Sequence, residues 1–103
     1  MSEAPPDRLS QAEVIAKLGE LAAWTLRDDG RAICRTYNFA TFVDAFGFMA
    51  MAALCAERAD HHPEWFNVYG RVEVTLTTHD VAGLSERDFR LARELEACAS
   101  RRL

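Results

Sequence analysis

Residues 61–80 read HHPEWFNVYGRVEVTLTTHD and have the pattern of two short strands joined by a turn. Apolar and polar side chains alternate along the second half, which is typical of a strand with one buried face. We predict strands over Phe66–Tyr69 and Val72–Thr77 with a turn at Gly70-Arg71. This stretch is therefore predicted to be a β-hairpin. The elements before and after it are placed relative to this hairpin.

A helix should end immediately before this hairpin. Pro63 disfavours the helical conformation at the preceding residue, His62, so the helix should end near Asp60–His61. Thr41 is placed to cap the first turn of this helix. With these two ends it is the longest predicted helix of the chain. Its broad apolar face is predicted to comprise Phe42, Phe46, Met49, Ala50, Ala53 and residues 55–57.

Another hairpin and a short helix are predicted before the long helix. Asp28-Asp29-Gly30 is a strong turn signal between alternating segments, so Trp24–Arg27 should pair with Arg31–Phe39. Ser10 and Glu13 have the spacing of a capping box, in which each side chain accepts a hydrogen bond from the other residue's backbone N–H. A short helix should begin there.

The final helix has the same start signal. Ser85 and Asp88 have capping-box spacing, and Leu84 with Phe89 is placed to form a hydrophobic staple. The order of elements is therefore α-β-β-α-β-β-α, and its short connections favour antiparallel pairing. The predicted fold class is α+β, a four-stranded antiparallel sheet with the helices packed on one face.

Length and charge indicate a small acidic domain. The chain has 103 residues, for which we expect a loose tail over 1–9 and one domain over 10–103. A net charge of −4 at pH 7 disfavours direct nucleic-acid binding, which needs a basic patch. No apolar run approaches the roughly 18 residues of a membrane span, and the first ten residues lack the apolar segment of a signal peptide. We expect no membrane association.

The cysteines favour a reducing compartment. Cys34, Cys55 and Cys98 are odd in number, far apart and without a CxxC pair. Structural disulfides are therefore not expected, and the cytoplasm is the predicted location. Cys55 and Cys98 lie in helical patterns and are predicted to be small core residues.

All three histidines lie at the two ends of the second hairpin: His61, His62 and His79. Imidazole is the side chain that most readily exchanges protons near neutral pH. Glu57 lies four residues before His61, so the two should share a helix face. Because a hairpin with equal arms returns its end close to its start, His79 and Asp80 should approach the histidine pair. The pattern indicates a proton-transfer site or a metal site.

These residues also have plainer explanations. A single histidine is more often a surface or structural residue than a catalytic one. Asp88 can be explained by its position in the first turn of a helix, where the helix dipole favours a carboxylate, and Glu57 as a solvated helix residue. Trp65 can be a core residue, and Pro63 can simply end the long helix.

Zinc is the main chemical alternative to proton transfer. Glu57, His61 and His79 are all legitimate zinc ligands. Their spacing does not match the HExxH pattern, however, and no thiolate joins them. A serine hydrolase is disfavoured because the chain has no GxSxG motif.

A spaced pattern runs through residues 56–80 (AERADHHPEWFNVYGRVEVTLTTHD) and 82–96 (AGLSERDFRLARELE). It comprises Glu57, His61-His62-Pro63, Tyr69, His79 and Asp88. In residue types and spacing it strongly resembles the pterin-4a-carbinolamine dehydratase family, over residues 10–100. One departure is Ala82-Gly83, where two glycines are expected; it affects only the shape of a loop.

The resemblance implies dehydration of a 4a-hydroxytetrahydropterin to the quinonoid dihydropterin, without a metal or redox cofactor. The implied catalytic residues are His61, His62 and His79, with His61 and His79 as the acid–base pair and His62 orienting the pterin. The implied substrate-binding residues are Glu57, Pro63, Trp65 and Asp88. Glu57 and Asp88 would hold imidazoles or the amino-bearing edge of the pterin, and Trp65 and Pro63 would form a wall.

A non-catalytic function is the alternative. Animal members of the family also bind a homeodomain transcription factor as a dimerisation cofactor, and the long helix over Phe42–Leu54 would carry such a function. The resemblance also implies a homo-oligomer, a dimer or tetramer. Independently, Phe48 lies about 200° around the helix from Phe46, so one stripe cannot hold both. We expect part of this surface to form an interface, unless Phe48 packs under the first helix or a loop.

Overall fold

The computed structural model describes residues 6–103, which form three helices and four strands. In chain order these are α1 (Gln11–Leu18), β1 (Thr25–Leu26), β2 (Ile33–Asn38), α2 (Phe42–Ala59), β3 (Glu64–Val68), β4 (Arg71–Leu76) and α3 (Glu86–Ser100). A single 3₁₀ turn, His79–Val81, separates β4 from α3. The predicted order of elements is confirmed.

The strands form one antiparallel sheet in the order β1-β2-β4-β3. The first hairpin turns where predicted, and Gly30 takes the left-handed conformation there (φ 73°). The second hairpin is shifted from its predicted position. Val68 pairs with Arg71, so the turn is Tyr69-Gly70 and β3 begins earlier, at Glu64. A Cβ on Gly70 would collide with the Phe39 carbonyl oxygen, so close packing between two loops decides the turn.

One face of the sheet is buried and the other is open. Val72, Val74 and Leu76 are at most 1% exposed, and they face the helices together with Ile33 and Tyr37. The opposite face carries mainly polar, exposed residues of β2 and β4. The helices therefore pack on one face, as predicted.

The three helices begin at the predicted caps. Ser10 with Glu13 and Ser85 with Asp88 form complete capping boxes. Thr41 accepts a hydrogen bond from the Asp44 backbone N–H at 3.1 Å. These contacts satisfy backbone donors that a helix start leaves unpaired, which explains why the signals are readable from sequence.

The predicted core face of α2 is correct only at Ala56, which is buried, and at Met49 and Cys55, which pack half-buried against the core. The buried residues of α2 are Ala45, Phe48, Ala52 and Ala56. Phe48 is fully buried against the Tyr37 and Phe39 rings, at centroid distances of 4.6 and 5.2 Å, so it is not an interface residue. Instead an apolar α2 surface remains exposed; it comprises Phe42, Val43, Phe46, Met51 and Leu54.

The described part of the predicted tail is attached to the domain. The Leu9 N–H donates to the Leu84 carbonyl at 2.8 Å, and the Leu9 side chain packs against the core. Residues 1–5 of that predicted tail lie outside the described residues. Within residues 6–103, no helix has both the length and the apolar character needed to span a bilayer.

Candidate active site

The C-terminus of α2 turns the chain so that His61 points inward. Asp60 takes the left-handed conformation (φ 50°, ψ 43°), and the His61 N–H donates to the Ala56 carbonyl at 3.0 Å. This geometry closes the helix and reverses the chain. His61 is only 8% exposed as a result.

Asp88 holds the His61 ring. His61 Nε2 lies 2.6 Å from Asp88 Oδ1, and Asp88 is fully buried. The other carboxylate oxygen, Oδ2, accepts from Thr78 Oγ1 at 2.7 Å and from the Ser85 N–H at 2.9 Å. Thr78 and the Ser85 N–H at the start of α3 thus hold the carboxylate in place. The carboxylate in turn orients the His61 imidazole.

The contact with Asp88 leaves one ring nitrogen of His61 for chemistry. In the tautomer that donates from Nε2, His61 gives this hydrogen bond to Asp88 Oδ1 and keeps a lone pair on Nδ1. No buried side-chain nitrogen or oxygen in residues 6–103 lacks a hydrogen-bond partner. Nδ1 has no partner among these residues, so it must reach the surface. His61 therefore presents one edge to solvent from an otherwise buried position.

His62 pairs with Glu57 in the open. Its Nε2 lies 2.8 Å from Glu57 Oε1, and the two side chains are 58% and 80% exposed. The expectation that Glu57 would share a helix face with His61 is wrong, because α2 ends at Ala59 and Asp60 turns the chain. The structure places Glu57 against the next histidine instead.

His79 also has a carboxylate partner, Glu64 at the start of β3. The Nε2–Oε2 distance is 3.3 Å, and the side chains are 82% and 55% exposed. Thr78, next to His79, is the residue that hydrogen-bonds Asp88. The end of the second hairpin therefore lies close to its start, as predicted. It also lies beside the His61–Asp88 pair, through Thr78.

Three histidine–carboxylate pairs thus lie where the end of α2, the start of β3, the end of β4 and the start of α3 meet. They are His61–Asp88, His62–Glu57 and His79–Glu64. The first is buried and the other two are exposed. Two imidazoles are open to a ligand or to solvent, while the third is rigidly oriented, which is a suitable arrangement for proton transfer.

The predicted wall residues differ in their surroundings. Trp65 shares the inner face of the sheet with Val74 and packs, half-buried, against the core. Pro63 is half-buried between His62 and β3. Tyr69 of the sequence pattern lies at the other end of β3, in the turn, and its hydroxyl donates weakly to the Ala40 carbonyl at 3.5 Å.

The residues considered as zinc ligands do not converge. Glu57, His61 and His79 each contact a different partner. Among residues 6–103, no group of three or more histidine, cysteine or acidic side chains is placed to hold one metal ion.

Comparison with known proteins assigns the family. A model of the family described as pterin 4 alpha carbinolamine dehydratase matches residues 7–98. This chain belongs to the pterin-4a-carbinolamine dehydratase family. The match includes every histidine and every carboxylate of the three pairs.

Bacterial relatives of this dehydratase family align over most of the chain. A relative from Rhizobium johnstonii is 57% identical over 95 residues, covering 92% of this chain and 94% of its own length. A relative from Novosphingobium aromaticivorans is 62% identical over 90 residues, covering 87% and 94%. Both carry the name pterin-4-alpha-carbinolamine dehydratase as a provisional assignment.

Solved structures of the pterin dehydratase fold superpose on the chain. A Brucella melitensis protein, described as a transcriptional coactivator/pterin dehydratase, has a TM-score of 0.88 at 49% identity, covering 90% of this chain and 99% of its own. A pterin dehydratase-like RuBisCO assembly factor of the alpha-carboxysome has a TM-score of 0.66 at 19% identity, covering 75% and 89%. The second likeness shows the fold alone.

Three residues at this corner of the fold were not predicted from the sequence as members of the site. Glu64 contacts His79, Thr78 contacts Asp88, and Ser85 contacts both Thr78 and Asp88. Ser85 was predicted only as a helix cap. Glu64 follows the His-His-Pro run and Thr78 precedes His79, so adjacency to the histidines was the available signal.

Proposed function

We propose that this chain dehydrates a 4a-hydroxytetrahydropterin to the quinonoid dihydropterin, which recycles the pterin after aromatic amino-acid hydroxylation. The observation that carries the proposal is the meeting of three histidine–carboxylate pairs at one corner of the fold. Membership of the dehydratase family supports a pterin as the substrate class.

The reaction needs proton transfers and no net oxidation. The C4a–O bond breaks while the lone pair of a ring nitrogen forms a C=N bond. The hydroxyl leaves as water after accepting a proton, and the N–H of that ring nitrogen passes its proton to a base. Substrate and product differ by one water, so an acid and a base beside the ring supply the chemistry.

The acid–base pair in this proposal is His79 and His61. His79, 82% exposed and 3.3 Å from the Glu64 carboxylate, is free to approach the leaving oxygen and protonate it. His61, oriented by Asp88, offers its remaining ring nitrogen as the base. Positioned proton transfer of this kind contributes roughly 10²–10⁴-fold to a rate.

The other residues bind the substrate in this proposal. His62 and Glu57 form an exposed polar pair that can hydrogen-bond the heteroatom edge of a pterin. Trp65 and Pro63, both half-buried, flank the same corner and offer a surface against which a flat ring can lie. The pterin would thus bind at the surface, above the buried His61–Asp88 pair.

The test is a dehydration assay with 4a-hydroxytetrahydropterin. Wild-type protein should convert it well above the spontaneous rate. His62→Ala should raise KM more than it lowers kcat, because it removes a binding contact. Glu73→Gln, on the open sheet face, is the control and should match wild type. A wild-type rate equal to the spontaneous rate would contradict the proposal.

A function in protein binding is the second candidate. The observation that favours it is the apolar α2 surface, in which Val43 is 74% and Leu54 67% exposed. Soluble domains rarely leave a large apolar patch uncovered. We propose that a second copy of this chain covers it, since symmetric self-association is the commonest solution. A transcription factor that displaces this copy would give the surface a second use.

A further inference from the structure

Two of the three cysteines contact each other across the seam between α2 and α3. Cys55 Sγ and Cys98 Sγ are 3.8 Å apart. Both thiols are free, and both side chains pack half-buried against the core, so the predicted core positions are confirmed only in part. Cys34 lies on β2, where its sulfur contacts Thr75 Oγ1 at 3.7 Å. The fold thus creates one specific thiol pair from residues 43 positions apart in sequence.

Little movement would join the two sulfurs. A disulfide has an S–S length of about 2.0 Å, so the sulfurs must approach by about 1.8 Å. Each cysteine side chain turns about a single torsion, and both sulfurs already lie in the same seam between packed helices. The reduced pair is therefore close to the geometry of its own oxidation product.

The pair is accessible and its two thiols differ. They line a surface groove together with Met51, Leu54, Arg58 and Ala97. Arg58 Nη2 lies 3.8 Å from Cys55 Sγ and 3.2 Å from Glu94 Oε1, so a guanidinium borders the Cys55 side of the pair. Burial and the contact with Cys55 raise the pKa of Cys98 to about 11, so Cys98 remains a thiol. Cys55 is accordingly the thiol that reacts first.

We propose that Cys55 and Cys98 form a redox site that hydroperoxides oxidise to a disulfide linking α2 to α3. The Cys55 thiolate attacks one peroxide oxygen, the O–O bond breaks, and a sulfenic acid forms as hydroxide or alkoxide leaves. The Cys98 sulfur then attacks the Cys55 sulfur, the S–O bond breaks, and water carries away the Cys98 proton. Two thiols are oxidised and one peroxide is reduced, and an external thiol reverses the reaction.

Peptide mapping tests this directly, because trypsin places the three cysteines on separate peptides: 32–35, 36–58 and 94–101. Folded full-length protein is treated with hydrogen peroxide, alkylated and digested without reductant. We expect the intact chain to lose the mass of two hydrogen atoms, and peptide 36–58 to be linked to 94–101. Dithiothreitol should restore both free peptides.

Matched variants locate the reaction. Cys34→Ser should still form the link, whereas Cys55→Ser and Cys98→Ser should not, and wild-type mapping decides the case even if a variant fails to fold. Peroxide-treated wild type that carries only sulfinic or sulfonic acids, or that links through peptide 32–35, would overturn the proposal. The readout is the covalent state of the chain, so it is independent of whether the protein dehydrates a pterin.

Discussion

Asp88 performs two tasks with one carboxylate. Its Oδ2 accepts the Ser85 N–H and so completes the start of α3, while its Oδ1 holds the His61 ring. The sequence supports the first task through cap spacing, and the second becomes visible only when α2 and α3 are packed together. A residue with a complete structural explanation can therefore also orient a buried histidine.

Because Asp88 is buried and Glu57 is exposed, neutralising each carboxylate should have different effects. Asp88→Asn replaces one of the two carboxylate oxygens by an NH2 group, so the side chain can no longer accept from His61, Thr78 and Ser85 together. This should lower the free energy of unfolding by about 1–3 kcal/mol. Glu57→Gln disrupts an exposed pair and should cost less than about 1 kcal/mol. Urea unfolding of the two variants beside wild type measures the difference. Equal losses would mean that the Asp88 network contributes nothing beyond a surface pair.

At the scale of elements, the end of α2 decides where the histidines point. Asp60 takes the left-handed conformation, which costs an ordinary L-residue free energy that glycine avoids. This single residue separates the helix from the inward-turned His61. The positions of both neighbouring histidines therefore depend on a backbone conformation and not on helical spacing.

Substitutions at Asp60 should reveal this conformation. Asp60→Val should lower the free energy of unfolding by about 1–2 kcal/mol relative to Asp60→Gly, since a β-branched residue is poorly suited to the left-handed region. Ala59→Val, one residue earlier and still helical, is the control and should cost only about 0.5 kcal/mol. Thermal or urea unfolding is sufficient. Equal stability of the valine and glycine variants at position 60 would refute the left-handed cap.

Local signals in the sequence were sufficient to predict the helices and strands, but not to predict which of their residues contact one another. Capping boxes and the Asp28-Asp29-Gly30 turn act within a few residues, so the helix starts and first hairpin were predictable. The face of α2 was not, because α2 is apolar around most of its circumference and only packing selects Phe48 for the core. Likewise, the second turn moved to Tyr69-Gly70 because Gly70 packs against Phe39.

The site was predictable only in part, for the same reason. Histidine clustering predicted that the two ends of the second hairpin would meet, and the three histidine–carboxylate pairs lie there. Helical spacing placed Glu57 beside His61, whereas Glu57 contacts His62. Glu64 was not predicted because its contact with His79 spans β3 and the end of β4. His61 is buried, and its loss would leave Asp88 Oδ1 without the imidazole that it holds, while Oδ2 would keep Thr78 and Ser85.

For the whole molecule, the apolar α2 surface is the feature that predicts assembly. Phe46 lies in this surface at 58% exposure and its ring approaches Phe42, at a centroid distance of 6.1 Å. Phe46→Asp should therefore reduce an oligomer to monomers while leaving secondary structure unchanged. Phe48→Ala is the contrasting variant and should cost about 3–5 kcal/mol of stability through loss of core packing. Sedimentation at micromolar concentration gives the mass, and a wild-type monomer there would contradict the proposed interface.

The measurement that tests the central claim most directly is the dehydration rate of 4a-hydroxytetrahydropterin with His79→Ala. His79 is exposed, so its replacement should leave stability unchanged and lower kcat/KM at least about tenfold. Asp80→Ala, the exposed neighbour, is the matched control and should retain the wild-type rate. A folded His79→Ala variant with wild-type kcat/KM would contradict proton transfer by the histidine–carboxylate corner.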